Sequence, residues 1–177
     1  SPYAPHDGGP QQLLVLGAKA GRRTGIWYRV LLPSRPNGAS AWLPARAVRV
    51  ASTPWRVVVD LGDRRATLLR AGRQAGTWRV GVGTPDNPTP AGRFAISEVI
   101  RQPDPSGFYG PYILTLTAHS TTLSDFDGGG GRVALHGTSR PDLLGGRVSH
   151  GCVRMPNRAI AAIARVAPPG TPVEVRP

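Results

Sequence analysis

The stretch Arg132-Val133-Ala134-Leu135-His136-Gly137-Thr138, followed after a spacer by Ser149-His150-Gly151-Cys152-Val153-Arg154-Met155, decides how the rest of the chain is read. It holds the single cysteine, which excludes an intramolecular disulfide framework and any multi-cysteine metal site, so Cys152 is either an inert buried thiol or a reactive one. A cysteine nucleophile needs a base to take its proton and donors for the oxyanion that follows attack. Arg132 to His136 reads as a β-strand with a histidine at its end, sixteen positions before Cys152, and a loop of that length lets the strand end fold back beside the thiol. Gly151 permits torsions closed to other residues, so that the Cys152 amide can point into a site.

Outward from this stretch the pattern is mainly β. Strands are predicted at Trp55 to Asp60, Ala66 to Leu69, Thr77 to Val82, Arg93 to Val99 and Tyr112 to Thr117, separated by Gly- and Pro-rich turns. One short helix is predicted over Asn157 to Val166, where Ile160, Ile163 and Val166 share a face, Pro156 stands at the start and Pro168-Pro169-Gly170 at the end. A last strand, Pro172 to Arg176, is predicted to complete the sheet, and Gly128 to Gly131 read as a hairpin loop without the lysine of a phosphate loop. The turn residues at Ala51 to Pro54 mark a boundary, giving residues 1–53 as a small N-terminal β module and 54–177 as the main domain.

Within the first segment, strands are expected at Leu13 to Leu16, Ile26 to Leu32, Ala41 to Leu43 and Ala47 to Val50. Trp27-Tyr28-Arg29-Val30 and Ala41-Trp42-Leu43 resemble the strands of a bacterial SH3-like module, with the two tryptophans as its large apolar bodies; a plain β extension is the alternative.

His136-Gly137-Thr138 and Ser149-His150-Gly151-Cys152-Val153-Arg154, together with Thr89-Pro90-Ala91-Gly92-Arg93-Phe94 and the aromatic segment Gly107-Phe108-Tyr109-Gly110-Pro111-Tyr112, resemble in kind and order the motifs of the YkuD-like L,D-transpeptidases. The resemblance runs from about Pro54 to Pro177 and implies a β-sandwich-like fold. It implies Cys152 as nucleophile and His136 as its base, the ring held by the Gly137 carbonyl. Ser149, His150 and Gly151 would support the loop or the oxyanion. Arg154, Tyr109, Tyr112 and Thr138 would touch substrate, although bracing the loop is the favoured role for Arg154 and tyrosines on a hairpin more often fill a core. The substrate implied is the stem peptide of bacterial peptidoglycan, joined in 3→3 cross-links through a thioester. Hydrolysis by an L,D-carboxypeptidase and lipoprotein anchoring are alternatives, and carbapenem-type β-lactams are the expected covalent inhibitors.

The charge balance is 22 basic against 10 acidic residues, a net +12, so polyanions such as anionic cell-wall polymers are expected partners. The basic residues are scattered and no nucleic-acid-binding motif is present, so no nucleic-acid partner is expected. No apolar run approaches the roughly 18 residues of a membrane span. The chain begins at Ser1, as a processed secreted protein or a trimmed segment would, and an extracytoplasmic location is expected. His6 and His119 match no motif and read as surface or loop residues. Four scattered histidines have no ligand spacing, so neither a metal nor a cofactor is expected. Two rivals remain: a non-enzymatic wall-binding protein with a degenerate catalytic domain, and a papain-like hydrolase, whose cysteine precedes its histidine at a helix start. Here the order is reversed and the setting is β.

Overall fold

The computed structural model describes residues 10–21, 25–125 and 128–177. The N-terminal segment forms a three-stranded antiparallel sheet, β1 (Val15–Gly21), β2 (Gly25–Leu31) and β3 (Ser40–Pro44), with β2 in the middle. The fourth expected strand is absent: Ala45–Ala47 form a 3-10 turn and 48–50 pair with nothing regular. Pro44 explains this, since it lacks the N–H a ladder needs and its extended backbone leads straight into the turn. The first strand begins at Val15, later than its apolar run suggests, with a bulge between Val15 and Gly17.

The main domain is one eight-stranded mixed sheet. Its strands are β4 (Trp55–Asp60), β5 (Arg65–Arg70), β6 (Arg73–Arg79), β8 (Gly92–Arg101), β9 (Tyr112–His119), β10 (Arg132–His136), β12 (Val153–Arg154) and β13 (Pro172–Arg176). They lie in the order β12-β10-β9-β8-β13-β4-β5-β6, with β13 parallel to β4 and β12 parallel to β10. A separate two-stranded pair joins β7 (Val82–Gly83) to β11 (Arg147–Ser149). The Thr77 to Val82 segment, read as one strand, breaks after Arg79, and its continuation crosses to the far edge of the sheet. There Gly81 exchanges backbone bonds of 2.9 and 2.8 Å with Arg154 of β12. Both ends of the sheet are thereby drawn together, and the sheet curls around its own core.

That core follows from period-two alternation. Val57, Val59 and Leu68 from one half face Leu114, Leu116, Leu135 and Val153 from the other. The helix α1 (Asn157–Val166) turns Ala159, Ile160 and Ile163 onto the same cluster. Burying two isoleucines is worth roughly 2 kcal/mol each, which holds the helix start, and with it the residues just after β12, at the end of β10. Mainly β architecture with one helix is what the pattern required.

The two segments meet through side chain to backbone bonds. Asn37 donates to the His119 carbonyl and accepts the His119 amide, both at 2.8 Å, while Arg35 donates to the Ser120 and Leu123 carbonyls at 2.6 and 2.7 Å. His119 is therefore not a surface or loop residue: it ends β9, is 8% exposed, and has its pKa lowered by burial and by Arg132 and Arg35. His6 lies outside the described residues.

Candidate active site

Leu135 pairs with Val153 and His136 with Arg154, and Leu135 and Val153 both point into the core. Alternation then turns Ala134 and His136 of β10, and Cys152 and Arg154 on the neighbouring segment, onto the opposite face. Strand spacing and rise set the Cα atoms of His136 and Cys152, diagonal neighbours, about 8 Å apart, within side-chain reach.

The His136 ring is 2% exposed, and its Nδ1 lies 2.6 Å from the Gly137 carbonyl oxygen. A carbonyl only accepts, so Nδ1 carries the proton and Nε2 keeps a free lone pair. Burial lowers the His136 pKa to about 4, assisted by the Arg154 charge and opposed by the Gly137 bond, so the imidazole is neutral at pH 7. Burial pushes the Cys152 thiol up, against a backbone bond from Ala134 and the Arg154 charge, both of which favour the thiolate. Only an N–H can stabilise the anion, so the Ala134 amide is the donor. Desolvation thus favours the uncharged form of both thiol and imidazole.

The Cys152 loop is fixed locally. Ser149, 2% exposed, donates through Oγ to the Cys152 carbonyl at 2.5 Å and accepts the Gly151 amide at 3.2 Å. Gly151 takes φ 116°, a conformation side chains resist, which turns the chain between β11 and Cys152. Beneath it, Thr89 accepts the Gly83 amide at 2.9 Å, and the Thr84 amide donates to the Ser149 carbonyl at 3.0 Å. The Thr-Pro motif is therefore a brace under the cysteine loop.

Above the imidazole stand the aromatics. Tyr109 meets the His136 ring edge-on at 5.1 Å between centroids, and Phe108 stacks at 6.2 Å while remaining 52% exposed. The Arg154 guanidinium lies 5.0 Å above Phe108, and its Nε is buried without a partner among the described residues. Tyr112 is not brought here: it is on the core-facing side of β9, one residue out of phase with Ile113, which pairs with His136. Thr138 is 5% exposed and serves the turn, its hydroxyl accepting the Arg140 amide at 3.0 Å. His150 is exposed at the rim. Among the described residues no group of three or more His, Cys, Asp or Glu could hold a metal, and none of the helices is long and apolar enough to cross a membrane.

A family model described as the L,D-transpeptidase catalytic domain YkuD matches residues 54–175, most of the chain and all of the site. The chain belongs to the YkuD L,D-transpeptidase family. A relative from Bacillus licheniformis that carries the name L,D-transpeptidase YkuD is 36% identical over 124 residues, covering 70% of this chain and 67% of its own length. The chain thus spans about two thirds of that relative. In fold, it resembles an L,D-transpeptidase from Mycobacterium tuberculosis H37Rv with a TM-score of 0.60, 16% identity and 94% coverage of both chains. L,D-transpeptidase 3 from Mycobacterium tuberculosis, solved with a faropenem-derived adduct, gives a TM-score of 0.59 at 15% identity, covering 86% of this chain and 67% of that one. The protein is an enzyme of the L,D-transpeptidase class, and as a YkuD domain it carries its site on the sheet face opposite the core.

Sequence reasoning passed over Asn157 as anything but a helix residue. Its Oδ1 accepts the Thr138 amide at 2.7 Å and its Nδ2 donates to the Pro105 carbonyl at 3.3 Å. The available signal was a polar amide in the first helical turn directly after Pro156, where such side chains commonly bond to backbone.

Proposed function

We propose that this enzyme cross-links bacterial peptidoglycan outside the cytoplasm, with Cys152 as nucleophile and His136 as general base. The observation that carries the reading is the placement of thiol and imidazole on one sheet face, with Nδ1–H tied to Gly137 so that Nε2 keeps its lone pair. Because both groups rest uncharged, the proton moves as the bond forms. The Cys152 sulfur attacks the amide carbonyl between an L-centre and a terminal D-residue while Nε2 takes the thiol proton. The Cys152 amide, turned out by Gly151, receives the oxyanion. The imidazolium then protonates the departing amine, the C–N bond breaks, and the D-residue leaves a thioester. An amine of a second stem peptide attacks the thioester while Nε2 takes its proton; the C–S bond breaks, the imidazolium returns the proton to the departing sulfur, and a 3→3 link is formed. Arg154, half-buried beside both groups and without a carboxylate partner among the described residues, suits a substrate carboxylate.

Purified enzyme is assayed on disaccharide-tetrapeptide, with released D-alanine and cross-linked dimer measured and Cys152→Ala as control. Dimer made only by the wild type is expected; release without dimer would give the L,D-carboxypeptidase instead, and neither product would refute the reading. The β-lactam-adduct relative suggests a second test. Intact mass after faropenem or a carbapenem is expected to show one adduct, absent in Cys152→Ala.

A further inference from the structure

The Gly137–Thr138 peptide is bonded at both ends: its carbonyl accepts His136 Nδ1–H at 2.6 Å, and its N–H donates to Asn157 Oδ1 at 2.7 Å. We propose that Asn157 is a positioning residue that fixes the tautomer of His136 through this one peptide group. The proposal rests on the acyl-transfer reading only for its catalytic consequence. Aligned bonds through one amide polarise each other, so an acceptor on the N–H makes the carbonyl a better acceptor for Nδ1–H. With both ends held the peptide plane cannot flip, and Nε2 is kept as the lone-pair nitrogen. Space confines the arrangement further. A Cβ on Gly137 would come within 2.4 Å of Asn157 Oδ1 and 2.9 Å of the Gly110 Cα, while one on Gly110 would come within 2.4 Å of the same oxygen. Two glycines thus close around the amide oxygen. Through Nδ2 the same side chain holds Pro105, in the loop that brings Phe108 and Tyr109 over the imidazole. One residue at the start of α1 therefore links the helix, the orienting peptide and the aromatic cover.

Nitrogen-15 NMR of the His136 ring at neutral pH, the rate of Cys152 acylation by a carbapenem, and the melting temperature are measured in wild type, Asn157→Ala and Asn157→Asp. In wild type the ring is expected as the Nδ1–H tautomer. Asn157→Ala is expected to show a mixture with Nε2–H and acylation slowed roughly 10- to 100-fold. Asn157→Asp keeps an oxygen for the Thr138 amide, so it is expected to retain the wild-type tautomer and acylate within about 5-fold of wild type. An alanine variant with the wild-type tautomer and rate, differing only in melting temperature, would overturn the proposal. Should that variant fail to fold, the aspartate variant decides: a mixed tautomer there overturns it equally. A wild type that gains no adduct would count against the acyl-transfer reading, and the tautomer comparison would still judge Asn157.

Discussion

His136 concentrates the physics of the site, because the burial that encloses its ring makes its charged form expensive while the Gly137 bond leaves Nε2 its lone pair. Its pKa is near 6.5 unfolded and about 4 folded. Between those values the unfolded chain binds a proton that the folded chain refuses, so stability is full above about 6.5 and falls as pH drops towards 4, by about 3 kcal/mol in all. His119, lowered for the same reason, acts in the same direction. Urea unfolding at pH 7 and pH 4 should therefore show the wild type losing about 3 kcal/mol more than His136→Gln; equal acid sensitivity would contradict the buried neutral ring. The acid limb of acylation should likewise fall near pH 4, where Nε2 is protonated. Ser149 carries a different burden. Losing its hydroxyl leaves the Gly151 amide and the Cys152 carbonyl without their partner, so Ser149→Ala should lower stability by about 1–3 kcal/mol, read by denaturant melts. Ser149→Thr, which keeps the oxygen, should recover part of it. Cys152 and His136 were readable as a pair from their motifs. Their neutral resting state was not, because it depends on desolvation by residues remote in the chain.

At the scale of elements, legibility followed local chemistry. Trp55–Asp60, Arg132–His136, Asn157–Val166 and Pro172–Arg176 stand where alternation, helical spacing and flanking prolines put them. The short pair β7 and β11 and the two-residue β12 were missed, since two or three residues carry no period and form only because partners from elsewhere supply hydrogen bonds. Tyr112 shows the reverse case: its motif pointed to the site, and one step of alternation put it on the other side of the sheet. The link between the N-terminal sheet and β9 is testable here. Asn37→Ala removes both bonds to the His119 backbone. Hydrogen exchange should then quicken at the His119 amide while Leu116, fully buried in the core, keeps its protection. Unchanged exchange at His119 would mean that the contact adds nothing to the order of that strand end.

Across the whole molecule, charge and closure matter most. Asp7 is the one acidic residue in 1–53, against Lys19, Arg29, Arg35 and other arginines, so a net charge of +12 is most one-sided there. On the exposed side of β1–β3, Lys19 lies 4.1 Å over Trp42. Retention on an immobilised phosphodiester polymer should fall steeply between about 0.05 and 0.5 M salt, as the Debye length contracts from above 10 Å to a few ångströms. Salt-independent retention would rule out an electrostatic mode.

From its residues alone this chain determined a mainly β architecture, one helix after the cysteine loop, and the motifs from which Cys152 and His136 are proposed as nucleophile and base, because periodicity, turn residues and short motifs are local properties. Only the folded molecule decided which face each side chain takes, that the sheet closes through Gly81 and Arg154, and that Asn157 reaches the peptide beside His136. Those depend on strand register and on contacts between segments far apart in sequence, which desolvate the site and set its proton positions together.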